Sequence, residues 1–413
     1  MTKISVPTLR FSEFDDEWKE NKLNEVADRV TRKNKNLDSD LPLTISAQYG
    51  LIDQETFFNK KVASKDLSNY FLVKRGEFAY NKSYSNGYPF GTIKSLKKYD
   101  KGVLSSLYIV FSIKENISHL FMDSFFDSNH WHKEVSTKTT EGARNHGLLN
   151  ISPQDFMKSK IFVPDNIEEQ NRVGLFISNL DKLIELQSQK LEQLKKLKRG
   201  YLQKMFPQDG KSFPRLRFSG FSGEWKEEKL KEILKVGKSG GTPSTKNKEY
   251  YDGTIPFLSI KDVTESNGII NDTEKHINDD AIQNSSSWIV PKGSLTISMY
   301  ASVGSVAKLS SDIATSQAFF NMIFDDGIDV DFMYHFFNQY NLMGRWKRLI
   351  ATGTQGNLNA TEINNILVRI PSEKEQRKNA FFLSKIDQII NDQSDKIDEL
   401  KHQKKAYLQK MFV

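Results

Sequence analysis

The sequence predicts an α+β protein in which two pseudo-two-fold-related α+β domains are separated by two long antiparallel coiled-coil helices. Three observations predict this fold class. The hexapeptide Tyr-Leu-Gln-Lys-Met-Phe occurs at 201–206 and again at 407–412, each time closing a charged helical stretch. A second duplicated stretch, at 9–23 and 216–230, opens each half of the chain. Between these repeats, short apolar runs are broken by Gly, Asn, Asp and Pro, which is typical of irregular strands.

The two long helices are predicted by the spacing of their apolar residues. These recur at alternating steps of four and three, the pattern that seats one helix against another in a coiled coil. Gln187 and Gln393 occupy matching positions in the two stripes, and we interpret them as buried, register-setting amides. The alternative is two surface glutamines on a frayed seam; if they are buried, replacing both with Leu should raise the melting temperature. The predicted helix-pairing residues are Leu180, Ile184, Gln187, Leu191 and Leu194 in the first helix, and Ile386, Ile390, Gln393, Ile397 and Leu400 in the second.

The ends of the helices carry further signals. Asn166 with Glu169, and Ser372 with Glu375, have the spacing of a capping box. Gly200 stands where the second copy has alanine, so we expect the first helix to bend or stop just before its hexapeptide. The short linker between the halves can hardly span a helix of about 55 Å, which favours an antiparallel arrangement over a parallel one.

The duplication also sets the predicted domain boundaries. Each half opens with the same entry segment and closes with the same helix, whereas the parts between them differ in sequence. The predicted segments are 1–164 as a first globular domain with an entry segment at 9–30, 165–206 as a central spacer helix, 207–215 as a linker, 216–371 as a second globular domain with an entry segment at 216–237, and 372–413 as a distal spacer helix.

Composition excludes several classes of function. The chain has 413 residues, 38% of them hydrophobic, which is enough for folded domains with more than one core. It has no cysteine, which excludes disulfides, thiolate zinc sites and cysteine catalysis. The formal net charge of +7 favours polyanionic partners. No apolar run approaches the ~18 residues of a membrane span and the N-terminus has no apolar signal core, so we expect a cytoplasmic protein without membrane contact.

No recognisable catalytic constellation is present in the sequence. Gly237-Lys238-Ser239 lacks the first glycine of a phosphate-binding loop, because Glu232 stands at that position. His130 and His132 are the nearest histidine pair, and no Asn/Asp-Pro-Pro-aromatic tetrapeptide of the amino-methyltransferase kind occurs. The chemistry that remains is binding, since basic groups grip phosphates while amides and guanidinium groups read base edges.

Three polar, basic loops have this binding character, at 80–86, 138–146 and 242–248. Any one of them alone would be an ordinary surface loop. We predict no catalytic and no metal-binding residue. The candidate DNA-binding residues are Asn81, Lys82, Ser83, Tyr84, Lys138, Arg144, Asn145, His146, Thr245, Lys246, Lys248, Lys261, Tyr300, Ser302, Thr354 and Gln355.

Several short motifs, taken together with the duplicated hexapeptide, are characteristic of one family. They are Gly240-Gly241-Thr242-Pro243-Ser244, Ile255-Pro256-Phe257-Leu258, Ser302-Val303-Gly304, Thr315-Ser316-Gln317 and Thr352-Gly353-Thr354-Gln355-Gly356-Asn357-Leu358-Asn359. Over nearly its whole length the chain resembles the specificity (S) subunits of type I restriction–modification systems. The first half departs more from the family, because it lacks the Gly-Gly-Thr-Pro-Ser turn.

The resemblance implies a mechanism and a set of partners. Each globular domain would be a target recognition domain that reads one half of an asymmetric, bipartite double-stranded DNA site, with the paired helices setting the gap. The chain itself would be non-catalytic and bind no cofactor. Its partners would be two methyltransferase (modification) subunits, which hold S-adenosylmethionine and methylate adenine, and restriction/translocase subunits that use ATP and Mg. The near-duplicate helices and entry segments are natural docking surfaces for two identical partners.

Two other classes of function stay open at this stage. The first is a self-contained DNA methyltransferase or nuclease with unrecognised catalytic motifs, which methyl transfer by the purified chain alone would favour. The second is a coiled-coil scaffold without a DNA function. It predicts binding to random duplex no tighter than surface charge explains, with no sequence preference at physiological salt.

Overall fold

The computed structural model describes residues 6–84, 87–139, 149–352 and 357–413. The chain folds as two compact units, the first formed by Met1–Gln187 with Lys396–Val413 and the second by Ser188–Asp395. Each unit combines one α+β domain with the start of one long helix and the end of the other, which confirms the predicted fold class. Within the described ranges, no helix is long and apolar enough to cross a membrane.

The first unit is organised around a four-stranded antiparallel sheet. Its strands are β1 (Lys19–Lys22), β2 (Ala27–Arg29), β3 (Leu43–Ser46), β4 (Gly50–Asp53), β5 (Phe71–Lys74), β6 (Phe78–Asn81), β7 (Thr92–Ser95), β8 (Lys101–Leu104), β9 (Ile109–Ile113) and β10 (Lys160–Val163). The sheet has the order β2-β9-β6-β7, while β1-β10, β3-β4 and β5-β8 form two-stranded ladders.

Helices pack against the strands of this unit, and all but the second contribute buried side chains to its core. They are α1 (Leu23–Val26), α2 (Gln54–Phe58), α3 (His119–Asp127), α4 (His130–Lys138), α5 (Pro153–Met157) and the long α6 (Ile167–Met205). The buried Phe78 and Phe111 of the sheet stack with ring centroids 5.5 Å apart. Phe121 of α3 and Trp131 of α4 are buried in the same core, so the aromatic residues of helices and sheet hold this unit together.

The second unit has one five-stranded and one four-stranded sheet. Its strands are β11 (Lys226–Lys229), β12 (Leu234–Ser239), β13 (Ile255–Leu258), β14 (Ile269–Ile270), β15 (Lys275–Ile277), β16 (Ile289–Val290), β17 (Leu295–Ser298), β18 (Val306–Leu309), β19 (Ile313–Thr315), β20 (Phe319–Phe324) and β21 (Leu367–Ile370). The sheets have the orders β12-β20-β17-β18-β14 and β15-β13-β19-β16, and β11 pairs with β21. Its helices are α7 (Ile260–Glu265), α8 (Asp279–Gln283), α9 (Val330–Leu342), α10 (Arg345–Thr352), α11 (Ala360–Asn364) and the long α12 (Glu373–Lys410), with 3-10 turns at Leu230–Ile233 and Lys248–Tyr251.

The hairpin β6–β7 of the first unit has a counterpart in the hairpin β17–β18 of the second. Two residues before β6, Gly76 has φ +85° and its N–H donates to the carbonyl of Leu96 at 2.8 Å. Two residues before β17, Gly293 has φ +86° and its N–H donates to the carbonyl of Leu309 at 2.6 Å. Both turns need the left-handed backbone that glycine adopts without strain, so the same local geometry starts both hairpins.

In each unit the end of one long helix lies on the start of the other. Tyr407 contacts Phe176 edge-on in the first unit with ring centroids 4.9 Å apart, and Tyr201 contacts Phe382 in the second at 4.8 Å. The helices are therefore antiparallel, as predicted. All ten predicted helix-pairing residues are buried or half-buried; the register-setting role of the two glutamines stays a prediction.

Of the two outcomes expected at Gly200, a stop is wrong, because α6 continues through this residue to Met205, and a bend stays a prediction. One glycine inside a helix costs only about 1 kcal/mol. Leu202 and Met205, which follow it, are both buried in the core of the second unit. Burial of these two side chains outweighs the low helix propensity of glycine, so the last turn remains helical.

The predicted capping boxes are wrong in the position of their carboxylates. Glu169 and Glu375 accept hydrogen bonds from the entry segments instead of from the backbone at the start of each helix. Arg10 donates to Glu169 through Nε at 2.6 Å and through Nη2 at 2.8 Å, and the Trp18 indole N–H donates to the same carboxylate at 3.0 Å. In the second unit Arg217 donates to Glu375 through Nε and Nη2, both at 2.7 Å. A bidentate guanidinium–carboxylate pair is stronger than a bond to one backbone N–H, so it decides where each carboxylate points.

Candidate nucleic-acid interface

In the first unit, the loop after β6 meets the chain segment that arrives at Leu149. The Leu149 N–H donates to the carbonyl of Lys82 at 3.0 Å. The Lys82 ammonium reaches over the same segment and donates to the carbonyl of Ile151 at 3.4 Å. The fold therefore brings the predicted cluster around Lys82 next to the segment that follows the predicted cluster at 138–146.

The second unit repeats this arrangement with different residues. The Leu358 N–H donates to the carbonyl of Met299 at 3.0 Å, and Met299 is the first residue after β17 as Lys82 is the first after β6. In both units the arriving segment follows a short helix, α4 or α10, whose tryptophan is buried: Trp131 is 3% exposed and Trp346 is 2% exposed. The two units thus carry the same loop scaffold.

Glycines permit the close approach of these loops. Gly91 has φ +81°, and a Cβ there would lie 2.1 Å from the carbonyl oxygen of Asn81, so only glycine lets the β6–β7 hairpin close. Gly304 has φ +83°, and a Cβ there would lie 2.2 Å from Cδ1 of Trp346. The β17–β18 loop therefore rests directly on the buried tryptophan of α10, with Ser302 at φ +53° in the same loop.

A further loop joins the interface in the second unit. The Gly241 N–H donates to the carbonyl of Thr315 at 3.1 Å, and the Thr242 hydroxyl donates to the Gln317 side chain at 2.6 Å. The same turn continues to Ala318, whose carbonyl accepts from the N–H of Met299 at 2.8 Å. These bonds bring the predicted loop 242–248 and the β17–β18 loop to the same edge.

The predicted residues of the first unit differ in accessibility. Asn81, Lys82 and Ser83 are half-buried, whereas Tyr84 is exposed. Burial lowers the pKa of the Lys82 ammonium, and its bond to a carbonyl makes it a support for the loop rather than a free phosphate ligand. Lys138 at the end of α4 is half-buried and its ammonium lies 3.2 Å from the carboxylate of Glu134.

The predicted residues of the second unit are exposed. Thr245, Lys246, Lys248, Tyr300 and Ser302 all belong to this group. Lys261 is exposed as well, and its hydrogen bond with Glu274 at 2.9 Å raises its pKa. An exposed ion pair contributes little, so a DNA phosphate can compete for such a lysine. The predicted Arg144, Asn145, His146, Thr354 and Gln355 lie outside the described residues.

Sequence reasoning missed some polar and aromatic residues at these loops. Tyr88 is exposed on the β6–β7 hairpin. The glycines near it in the sequence were the signal that could have indicated an exposed loop there. The Lys238 ammonium lies 4.3 Å from the ring centroid of Trp288, which is a cation–π contact that spacing does not reveal. Gln317 belongs to a recognised tripeptide, but its role in holding the 242–248 loop depends on the fold. Among the residues that the structure describes, no group of three or more His, Cys, Asp or Glu could hold a metal ion.

Comparisons with known proteins agree with this architecture. Residues 222–402 match the family model described as "Type I restriction modification DNA specificity domain". The chain is 33% identical over 168 residues to the type I restriction enzyme MjaIX specificity subunit of Methanocaldococcus jannaschii, an alignment that covers 40% of this chain and 39% of that relative. It is 23% identical over 313 residues to the type I restriction enzyme EcoR124I/EcoR124II specificity subunit of Escherichia coli, covering 71% of this chain and 72% of the relative.

Two solved structures share the fold. The type I restriction–modification S subunit from M. genitalium aligns with a TM-score of 0.59 at 16% identity, covering 99% of both chains. A chain from a study of the assembly and conformational transition of the type I R-M system aligns with a TM-score of 0.58 at 18% identity, covering 96% of this chain and 97% of that one. Residues 222–402 thus match the type I restriction–modification DNA specificity domain, and over most of its length the chain is similar to the specificity (S) subunits of type I restriction–modification systems.

Proposed function

We propose that this chain is the DNA target-specificity subunit of a type I restriction–modification system, and that each unit reads one half of a bipartite target. The observation that carries the proposal is the duplicated loop scaffold. The carbonyl of Lys82 accepts from Leu149, and the carbonyl of Met299 accepts from Leu358, both at 3.0 Å. One scaffold used twice, with different side chains on it, suits a protein that recognises two half-sites in the same way.

The half-sites should differ, since the side chains on the two scaffolds differ. After β6 the chain reads Lys82-Ser83-Tyr84, whereas after β17 it reads Met299-Tyr300-Ala301. Amide, hydroxyl and ammonium groups read base edges and phosphates in ways that depend on their identity and position. An asymmetric target is therefore expected.

The long helices are proposed to set the gap between the half-sites. Support comes from their antiparallel packing and from matched ion pairs between them, Lys404 with Asp181 in the first unit and Lys198 with Asp387 in the second. Such pairs tie one helix to the other at equivalent points and resist sliding. Deleting two heptads from both helices should shorten the gap, and an unchanged gap would contradict this role.

The partners proposed are two identical methyltransferase subunits, together with restriction/translocase subunits. Support comes from exposed apolar residues at matching positions of the two helices: Leu175 and Leu183 on α6, Phe381 and Ile389 on α12. Exposed apolar side chains repeated two turns apart are typical of a helix that packs on a further helix. In this proposal methyl transfer with S-adenosylmethionine, and ATP- and Mg-dependent cleavage, belong to those partners.

Mapping methylated adenines in cells with and without the chain tests the proposal. We expect one interrupted, asymmetric adenine motif to be methylated only in cells that contain it. Methylation that does not depend on the chain would contradict the proposal. Methyl transfer by the purified chain alone, followed with labelled S-adenosylmethionine, would instead favour the self-contained enzyme.

A further inference from the structure

Asp209, in the linker after α6, is bound by two arginines of α10. Arg345 Nη2 donates to Asp209 Oδ1 at 2.6 Å, and Arg348 Nη1 donates to Asp209 Oδ2 at 3.4 Å. Arg345 is also fixed from behind, since its Nη1 donates to the buried Gln339 side chain at 3.2 Å and its guanidinium lies 5.4 Å from the ring centroid of Tyr340. Charge-assisted hydrogen bonds therefore tie the first turn of α10 to the linker.

The linker is itself held in place by a second group of hydrogen bonds. It forms a turn in which the Lys211 N–H donates to the carbonyl of Gln208 at 2.9 Å. Arg369 of β21 donates to the carbonyl oxygens of both residues and pairs with Glu227 of β11 at 2.7 Å. The linker carboxylate is thus presented to α10 from an anchored turn rather than from a flexible strand of chain.

The helix α10 supports the candidate interface. Its Trp346 lies directly under the β17–β18 loop at Gly304, and the chain beyond α10 returns at Leu358 to bond with Met299. A shift of α10 would therefore move the tryptophan on which that loop rests. The position of the linker carboxylate consequently bears on the geometry of the reading loops.

The first half of the chain lacks the acid and the arginines of this tether at the aligned sequence positions. In the repeat alignment that matches Ser5-Val6-Pro7 with Ser212-Phe213-Pro214, Thr2 stands where Asp209 stands. With the two buried tryptophans aligned, His130 and Lys133 stand where α10 has its arginines. Asp209, Arg345 and Arg348 are therefore a feature of the second unit.

We propose that Asp209 is a positioning residue for DNA reading by the second unit alone, an inference that rests on the proposed function. The residue acts through Arg345 and Arg348 and needs no contact with DNA. Its loss should loosen α10, and recognition should weaken at the half-site read by the second unit while the other half-site is unaffected.

The test compares four forms of the full-length chain: wild type, Asp209→Asn, Asp209→Glu and, as a matched control, Asp326→Asn. Asp326 is an exposed acid of the same unit that pairs with Lys235 at 2.9 Å on the turn between β20 and α9, so its neutralisation changes the net charge equally. Affinities are measured for the duplex carrying the mapped target and for duplexes with one base pair changed in either half-site. Hydrogen–deuterium exchange of peptides covering 345–352 is followed without DNA.

We expect Asp209→Asn to reduce discrimination about fivefold at the half-site of the second unit only, which is less than the full discrimination that one correctly read base pair typically provides. Exchange in 345–352 should become faster, and Asp209→Glu should restore both readouts towards wild type. Unchanged exchange, or a loss of discrimination shared with Asp326→Asn or with the other half-site, would overturn the inference. A wild-type chain without any sequence preference would instead contradict the proposed function, and the exchange measurement would still test the tether.

Discussion

The ammonium group of Lys404 on α12 lies 2.6 Å from the carboxylate of Asp181 on α6 and 2.9 Å from that of Asp127 on α3. Lys404 therefore ties both long helices of the first unit to its globular domain. Burial raises the pKa of Asp127, but the charges and hydrogen bonds of Lys94 and Lys404 more than offset this and hold it at about 2. The Asp127 carboxylate stays ionised in the fold because both lysines are present.

Replacing Lys404 with Met should lower the free energy of unfolding by roughly 2 kcal/mol, because it leaves the half-buried Asp127 carboxylate with one counter-charge instead of two. Lys401→Met is the matched control. Lys401 pairs with Asp398 on the exposed face of the same helix, so its loss should cost less than about 0.5 kcal/mol. Denaturant unfolding measures both variants, and equal costs would contradict the structural role of Lys404.

The tryptophans of the two entry segments are predicted to contribute unequally to the free energy of unfolding. Trp18 and Trp225 are 2% and 3% exposed. The Trp18 indole N–H donates to Glu169, whereas the indole nitrogen of Trp225 has no hydrogen-bond partner among the described residues. Trp18→Phe should therefore destabilise by roughly 1.5–3 kcal/mol more than Trp225→Phe, because only the first removes a bond to a charged acceptor. Similar unfolding free energies for the two variants would contradict a stabilising role for the hydrogen bond between Trp18 and Glu169.

His335 on α9 predicts a pH dependence of stability. Burial, reinforced by the charges of Lys198 and Lys308, lowers its pKa from 6.5 to about 3, although a hydrogen bond to the backbone at Ala380 opposes the shift. Its Nε2 lies 3.0 Å from the Ser384 hydroxyl, and its Nδ1 lies 3.8 Å from the carboxylate of Asp387. Between pH 6.5 and pH 3 the unfolded chain therefore binds a proton on this residue that the folded protein does not.

Stability should consequently fall as the pH is lowered from 6.5 towards 3, by up to ~1.4 kcal/mol for each pH unit from this residue. His335→Gln should flatten the pH dependence of the unfolding free energy in that window. His276→Gln serves as the control, since His276 is partly exposed and pairs with Asp272 at the surface. A pH profile that is the same in wild type and His335→Gln would contradict the assignment.

The exposed apolar residues of the long helices predict how many methyltransferase subunits the chain binds. Phe381→Asp alone should reduce bound methyltransferase subunits from two to one, since it alters the patch of one helix only, and adding Leu175→Asp should remove both. Native mass spectrometry of the assembled complex measures the stoichiometry. Gln203→Asp, at an exposed position of α6, is the control and should leave two copies bound. Two copies retained by the double variant would argue against docking on these patches.

Much of the fold could be predicted from sequence because its signals are local. Heptad spacing predicted both long helices, and the short apolar runs between the repeats predicted irregular strands in both globular domains. The capping boxes failed because the partner of Glu169 is Arg10, which is 159 residues away, and no local spacing indicates such a pair. The helix stop at Gly200 failed because tertiary burial after it outweighs the propensity of one residue.

The candidate site could be predicted only in pieces. The polar cluster near Lys82 was identified from the sequence, but its contact with the segment that begins at Leu149 depends on the hydrogen bond between these two residues, which the tertiary fold creates. The burial of Lys82, and its engagement by the Ile151 carbonyl, were equally invisible in the sequence. Linear patterns indicate which residue types are available, whereas packing decides which of them face a ligand.

The central claim is that each unit reads its own half of the DNA target. Exchanging residues 31–150 for the corresponding segment of a related S subunit, and mapping methylated adenines in cells that contain the hybrid, tests this claim most directly. We expect one half-site of the methylated motif to change, while the other half-site and the gap stay the same. A change in both half-sites would contradict the claim.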